Sequence, residues 1–557
     1  MSSTHPIIIQ SDLSVLLEVD SPLYEEARDG LAQFAELVKS PDHIHTYRVT
    51  SLSLWNAAAA GVSASEILDL LQRYSRYAIP ENVRQEILDG IARYGLLKLE
   101  PHGDALALTS ADPLVLDEIL RYDTVHALLG ARLDAHSVAV SPAHRGGLKQ
   151  ALIKIGYPVE DLAGYVTGDP LPLRLRTQKR SGEPFALRRY QTQAVDAFYA
   201  GGSARGGSGV IVLPCGAGKT LVGLGVMEKV GAHTLIIATN TVAVRQWIHE
   251  ALERTSLQPE EVGEYTGDAK EIRPVTVTTY QTLTYRRRKA EEFEHLGLFT
   301  ARNWGLIIYD EVHLLPAPVF RVTADIQARR RLGLTATLIR EDGREEDVFS
   351  LIGPKRYDVP WRELEQQGWI AEAICYELRV SLPDDLRHDY ATAPTREKYR
   401  IAAENPAKLA LAEQLVERHR NDQVLIIGQY IDQLEEIAAR LGAPLITGKT
   451  SNRERQELYR RFREGETKLL IVSKVANFSI DLPDANVAIQ ISGTFGSRQE
   501  EAQRLGRLLR PKAKGSPARF YTLVTRNTRD QEFAANRQLF LTEQGYRYLI
   551  YEGLPPA

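Results

Sequence analysis

Beyond Phe185 the chain alternates β-rich apolar runs with stretches of helical spacing, the signature of a parallel sheet with crossover helices. The first set of runs is Val210–Leu213, Thr234–Thr239, Val275–Thr279, Leu306–Tyr309 and Arg331–Leu334. After the segment Trp361–Ile370 a second set follows: Ile374–Val380, Val424–Ile427, Pro444–Ile446, Leu469–Val472, Val487–Ile491 and Phe520–Val524. The helical stretches of that half are Pro406–Arg420, Ile431–Leu441, Asn452–Arg463 and Arg498–Leu509. Two consecutive α/β domains of parallel-sheet type are predicted, over residues 185–370 and 371–557, and the second contains no phosphate loop.

The N-terminal third reads differently. Ser65–Tyr77 places Ile67, Leu70, Leu71 and Tyr74 at helix spacing, Glu81–Tyr94 does likewise, and Leu96–Leu99 is a short strand candidate. Residues 1–100 therefore form a helical or winged-helix-like module, a type that serves DNA and protein docking alike. Residues 101–170 read as a small α/β domain, with strands at Ala105–Leu108 and Ser137–Val140 and helices at Asp112–Arg121 and Gly147–Ile155. The Arg-, Pro- and Gly-rich stretch 171–184 reads as a linker.

With 557 residues, about three or four domains are expected. Hydrophobic and charged contents of 43% and 25% are those of globular proteins, and no apolar run is long enough to span a bilayer. A cytosolic, cytoplasmic protein without membrane contact follows. Cys215 and Cys375 are the only cysteines, which excludes a disulfide framework and a thiolate-based zinc site. A net charge of −4 counts against a tight, static nucleic-acid binder but not against a translocase, which must release repeatedly. The basic runs Arg286-Arg287-Arg288-Lys289, Arg329-Arg330-Arg331 and Arg460-Arg461 read as solvated faces.

Candidate chemistry begins at VIVLPCGAGKT, residues Val210–Thr220, where an apolar run ends in a Gly-rich turn. Gly216 and Gly218 let the backbone wrap an oxyanion, and the following helix presents its positive end there. Lys219 would reach the β- and γ-phosphates, and Thr220 would ligate magnesium. The full phosphate-loop pattern lacks its first glycine, whose place is taken by Leu213. Cys215 inside the turn reads as a small residue filling a crowded space, with an oxidisable thiol as the alternative. Strand Leu306–Tyr309 runs into Asp310-Glu311-Val312-His313, a DEVH sequence in which Asp310 suits the metal and Glu311 the general base. Arg507 and Arg510, three apart on a predicted helix of the second domain, share one face. They fit arginine fingers that act when the domains close.

Taken in this order, these residues resemble superfamily 2 helicases and, within them, the XPB family in its bacterial and archaeal form. The resemblance extends to Leu334-Thr335-Ala336-Thr337, Arg340-Glu341-Asp342, SKVANFSIDLP (Ser473–Pro483) and SGTFGSRQEEAQRLGRLLRPK (Ser492–Lys512). In the N-terminal part it rests on TYRVTSLSLWNAAAAG (Thr46–Gly61) and GLKQALIKIGYPVEDLAGYV (Gly147–Val166). It implies two RecA-like motor domains and an ATP-dependent DNA helicase or translocase of 3′–5′ polarity, working in nucleotide excision repair with ATP and Mg2+. It also implies a DNA substrate that is forked, bubbled or damaged, an associated nuclease, and a motor that works as a monomer.

Residue by residue, the resemblance assigns Arg188 and Gln191 to adenine contact, and Gly216, Gly218, Lys219, Thr220, Asp310 and Glu311 to the nucleotide and metal site. His313, Thr335 and Thr337 match coupling positions, and Asp481, Gln503, Arg507 and Arg510 match the second-domain half of the site. Gln246, Trp247, Thr278, Thr279 and Gln429 fall where the family meets DNA, and Arg340, Glu341 and Asp342 where it opens strands. Asp104–Gly168 resembles the family's damage-recognition domain. Only Pro383–Asn405 is available for the thumb-like insertion many members carry. A second functional reading is an ATP-gated double-stranded DNA translocase or scaffold that holds a repair or nuclease partner without processive unwinding.

Overall fold

The computed structural model describes residues 5–40, 43–214, 216–287, 293–327, 329–336, 344–359, 364, 373–473, 485–493, 517–543 and 546–556. The chain divides into two units, one of residues 1–36, 47–213 and 218–359 and one of residues 37–46, 214–217 and 360–557.

The N-terminal module adds to its helices a small sheet that the sequence does not announce, with a further helix, Tyr24–Leu31, between the second and third strands. Strands β1 (Ile7–Ile9), β2 (Ser14–Glu18), β3 (Glu36–Lys39) and β4 (Ile44–Arg48) precede helices Ser51–Ala59, Ala64–Tyr74 and Glu81–Arg93. None of these strands exceeds five residues, too short for a period-two pattern to stand out. β1 and β2 pair antiparallel with Ile7 opposite Leu17, which turns Ile7, Val15 and Leu17 inward. Capping boxes at Thr50 and Ser63 start the first two helices.

The next sheet has the order β7-β8-β6-β5-β9, with β5 at Leu97–His102, β6 at Ala105–Ser110, β7 at Leu129–Arg132, β8 at Ser137–Val140 and β9 at Val159–Asp161. The β5–β6 hairpin straddles the boundary expected near residue 100. Helices Pro113–Ile119 and Arg145–Lys154 cover one face, so that Leu97, Leu99, Leu108, Leu116, Leu148 and Leu152 form its core. A buried ion network joins this domain to its neighbour. Arg145 and Lys149 both donate to the Asp161 carboxylate, at 2.8 and 3.0 Å, and Lys149 also donates to Gln327 Oε1 at 2.9 Å. Burial pushes Asp161 up, but the Lys149 and Arg145 cations outweigh it and hold the carboxyl well below its usual range. Burial brings Lys149 down to about 8, against the pull of Asp161.

The stretch 171–184 is not a free linker. Leu171 and Leu173 are buried, and Arg176 and Arg180 each donate at 2.6 Å, to the carbonyls of Thr255 and Leu257. Those carbonyls lie at the C-terminal end of helix Thr241–Arg254, where cations are favoured.

The first motor sheet is seven-stranded and parallel, in the order β12-β13-β11-β14-β15-β10-β16. Its strands are β10 (Ser208–Val212), β11 (Thr234–Ala238), β12 (Val262–Tyr265), β13 (Val275–Thr279), β14 (Leu306–Asp310), β15 (Arg330–Thr335) and β16 (Lys355–Asp358). Every residue of β10, β11 and β13 is buried, as expected where helices cover both faces. The run Arg329–Arg331 departs from the solvated face expected of it. Arg331 is fully buried at the start of β15 and donates to the carbonyls of Leu351 and Gln327, at 2.7 and 2.6 Å.

The second unit holds another seven-stranded parallel sheet, β19-β20-β18-β21-β22-β17-β23. Its strands are β17 (Ala373–Val380), β18 (Val424–Gly428), β19 (Leu445–Ile446), β20 (Leu469–Ser473), β21 (Val487–Gln490), β22 (Ala518–Thr525) and β23 (Arg547–Glu552). Within the segment considered for a thumb, helices Asp384–Thr392 and Thr395–Ala403 form a short pair. Among the described residues no helix is long and apolar enough to cross a membrane.

Candidate active site

β10 ends at Val212, and the Leu213 N–H then donates to the Thr335 carbonyl at 2.9 Å, so the chain enters its turn tied to the end of β15. Gly216 and Gly218 both have φ +81°, a backbone state that side chains resist, and Gly218 is the N-cap of helix Lys219–Val230. A Cβ on Gly218 would also come within 2.6 Å of the Gln191 amide nitrogen. Gln191 is itself buried in the first turn of helix Arg189–Tyr199, and its Oε1 accepts the Arg188 N–H at 2.9 Å. Arg188 and Gln191, the predicted base-contacting pair, are thus positioned together at the phosphate turn.

Lys219 opens the helix and places Nζ 2.9 Å from Glu311 Oε1. Thr220 follows it in the first turn. Asp310 ends β14 and Glu311 follows with φ +49°, a left-handed conformation uncommon for a residue with a side chain. That reversal sends the two adjacent carboxylates to different partners. Asp310 Oδ2 accepts the Trp247 indole N–H at 2.9 Å, and the Asp310 carbonyl accepts the Tyr280 hydroxyl at 3.0 Å. Glu311 faces Lys219 on one side and His313 Nδ1, 3.6 Å away, on the other.

The electrostatics separate the pair. Burial, then the Glu311 charge, raises Asp310, while the Trp247 hydrogen bond and Lys219 oppose the rise. Burial also pushes Glu311 up, but Lys219, His313 and the Ala336 amide prevail and hold it below its ordinary value. Glu311 is thus the more readily ionised of the two carboxylates.

His313 Nδ1 lies 2.6 Å from the Thr335 hydroxyl, and both residues are buried. Thr335 therefore meets the acidic strand end through its side chain and the strand entering the phosphate turn through its backbone. Its predicted companion Thr337 lies outside the described residues, as do Arg340, Glu341, Asp342, Asp481, Gln503, Arg507, Arg510 and Cys215.

The residues expected on the DNA track divide. Gln246 is exposed on helix Thr241–Arg254. Trp247 takes a different place from the one expected: only 1% exposed, it turns inward to Asp310 and packs over Gly223, where a Cβ would come within 2.5 Å of the indole. Thr278 is buried in β13. Thr279 is likewise buried, and its hydroxyl accepts the Thr282 N–H at 2.9 Å, capping helix Tyr280–Leu283. Gln429 is half-buried after β18, and its N–H donates to Ser492 Oγ at 2.8 Å. Motif reading missed Trp247 and Tyr280 as supports of Asp310; helical spacing marks an aromatic on one face but not the atom it meets.

A parallel-sheet domain whose phosphate turn, acidic strand end and linking threonine converge, followed by a second parallel-sheet domain, defines a two-domain helicase-type motor of α/β class. Residues 364–555 match the family described as the ERCC3/RAD25/XPB C-terminal helicase. Residues 184–340 match the type III restriction enzyme res subunit, and residues 7–134 a helicase conserved C-terminal domain. The chain is 58% identical to the DNA 3′–5′ helicase XPB of Mycobacterium tuberculosis, over 98% of its own length and 97% of the relative's. The protein of the same description from Kineococcus radiotolerans is 57% identical, over 99% and 98%. A general transcription and DNA repair factor IIH helicase/translocase subunit XPB from Encephalitozoon cuniculi is 34% identical, over 99% and 83%. The chain belongs to the XPB helicase family.

Proposed function

We propose that the protein is an ATP-dependent 3′–5′ DNA helicase that couples hydrolysis to strand opening in nucleotide excision repair. The carrying observation is the junction at the end of β14, where Glu311 sits between Lys219 and His313 and Thr335 joins His313 to the phosphate turn. Lys219 would neutralise the terminal phosphates, Glu311 would orient and deprotonate the attacking water, and the His313–Thr335 contact would register which state the phosphate turn is in. Arg188 and Gln191 would hold the base. Asp481, Gln503, Arg507 and Arg510 keep the roles that the resemblance gives them, with the two arginines stabilising charge on the transferred phosphoryl group. On the DNA side Gln246 and Gln429 are proposed strand contacts, Thr279 acts through the helix it caps, and Arg340, Glu341 and Asp342 open the strand. The reading extends to a cytoplasmic, monomeric motor with an associated nuclease.

The donor set fits magnesium. Thr220 would contribute a hydroxyl and Asp310 a carboxylate, an oxygen-only pair of the kind magnesium accepts. When bound, the ion would neutralise phosphate charge. Trp247 then fixes the orientation of the liganding carboxylate. Replacing Trp247 by Phe keeps the packing over Gly223 but removes the donor, and the half-saturating magnesium concentration of the ATPase should rise about tenfold to a hundredfold, the worth of one hydrogen bond to a charged group. An unchanged metal requirement would show that the indole does not position Asp310.

The functional reading is tested by measuring ATP hydrolysis with and without DNA alongside strand separation on a forked duplex with a 3′ single-stranded arm. Stimulated hydrolysis with separation is expected. Stimulated hydrolysis without separation would overturn the helicase assignment in favour of a translocase.

A further inference from the structure

At the open edge of the first motor sheet lies a group of aromatic and basic side chains that the nucleotide chemistry does not use. β12 is the edge strand, and its last residue, Tyr265, lies opposite Thr278 of β13. The group therefore sits at the carboxyl ends of the strands, where ligands of open parallel sheets bind. Tyr265 Oη is 3.1 Å from His295 Nδ1, Lys270 Nζ is 3.4 Å from His295 Nε2, and the Lys270 ammonium stands 4.5 Å over the Tyr265 ring. An ammonium can only donate, so Nε2 is the acceptor and the imidazole is neutral, its Nδ1–H donating to Tyr265. Burial and then Lys270 hold His295 below its ordinary value, in agreement. Tyr285 completes the group: its ring is stacked on that of His295, 23° from parallel with centroids 6.2 Å apart, yet Tyr285 is 51% exposed. Beside it the Arg286 guanidinium lies 5.1 Å over Phe293.

The neighbours of this group are the proposed DNA contacts. Thr279 caps the short helix Tyr280–Leu283 that leads to Tyr285. Arg245, adjacent to the exposed Gln246, donates to Asp268 at 3.1 Å, joining helix Thr241–Arg254 to the turn that carries Lys270. An exposed tyrosine held in place by a stacked imidazole, with cations on either side, is the arrangement that accepts an unpaired base while neighbouring charges meet its phosphates. Bases within a duplex offer no free face, so the fit is to a single strand.

We infer that Tyr285, supported by His295, Tyr265 and Lys270, is a stacking platform for a base of single-stranded DNA beside the strand track. The inference rests on the DNA-motor reading above. In the full-length protein, binding is measured by fluorescence to a single-stranded oligonucleotide containing 2-aminopurine and to the same oligonucleotide made abasic across the site. The intact protein should favour the base-bearing strand. Tyr285→Ala should weaken binding to that strand about fivefold to a hundredfold and leave binding to the abasic strand unchanged. Tyr285→Phe, which keeps the ring, should bind as the intact protein does. Equal loss on both strands, or no loss on either, overturns the platform. Duplex-stimulated ATPase of the intact protein is measured in parallel. Its absence from the intact protein would overturn the motor reading, whereas its presence without discrimination between the strands would overturn the platform alone.

Discussion

Replacing Glu311 by Gln should lower DNA-stimulated ATP hydrolysis by about a hundredfold to ten-thousandfold, the usual worth of a positioned general base, while ATP still binds. The change keeps the size of the side chain and the acceptor facing Lys219, which lies 2.9 Å away, but removes the capacity to take a proton. The left-handed backbone at Glu311 should survive, because it arises from the turn between β14 and the short 3-10 helix Val312–Leu314 rather than from the carboxylate. Binding of a fluorescent ATP analogue, unchanged or somewhat tighter in the variant, separates a chemical defect from a folding defect. Turnover within tenfold of the intact protein would remove Glu311 from the base role.

The contrast with Asp310 explains why the neighbour would not substitute. Asp310 already spends one oxygen on Trp247 and its carbonyl on Tyr280, and its surroundings favour protonation more than those of Glu311. Two adjacent acids thus differ because a backbone reversal and different partners separate them, the general route by which one site obtains two carboxylate roles.

How far the sequence reveals this arrangement depends on burial. Central strands such as Val210–Val212 and Thr234–Ala238 are buried on both faces, and their apolar runs announce them. The flanking strands β12, β16 and β23 do not: Lys355–Asp358 is a strand of mostly charged residues, recognisable only from the neighbour it pairs with. The same holds for 171–184, whose arginines look like linker residues until the carbonyls of Thr255 and Leu257 receive them. In the site, Lys219, Thr220, Asp310 and Glu311 are readable because phosphate chemistry needs those residue types at a turn and a strand end. The inward turn of Trp247 is not readable, since it depends on Gly223 of another helix being small enough to admit the indole.

The second large effect is expected in the second unit, on stability. Lys408 and Asp530 form an ion pair with donor and acceptor 2.5 Å apart, and both side chains are almost wholly excluded from solvent. Lys408, on helix Pro406–Arg418, also donates to the Ile491 carbonyl at 3.1 Å, and Asp530 accepts the Thr525 N–H at 2.9 Å, so the pair joins that helix to the ends of β21 and β22. Asp530→Ala would leave an ammonium buried with one carbonyl for company, and such losses cost about 3–5 kcal/mol. For a unit of this size that is a fall in melting temperature on the order of 10 °C. The pH dependence has a definite sign. Burial already lowers the Lys408 pKa from its ordinary value of 10.5, and losing Asp530 lowers it further. Between the folded value and 10.5 the unfolded chain binds more protons than the folded one, so the variant should regain stability as pH rises through that window. Lys408→Met combined with Asp530→Ala removes the stranded ammonium, leaving the buried Arg537 guanidinium, and should recover part of the loss at neutral pH. Denaturation of the single and double variants at pH 7 and 9 decides the matter: a single variant that melts within a degree or two of the intact protein, or a double variant no more stable than the single, would show that this pair does not hold the second sheet to its helices.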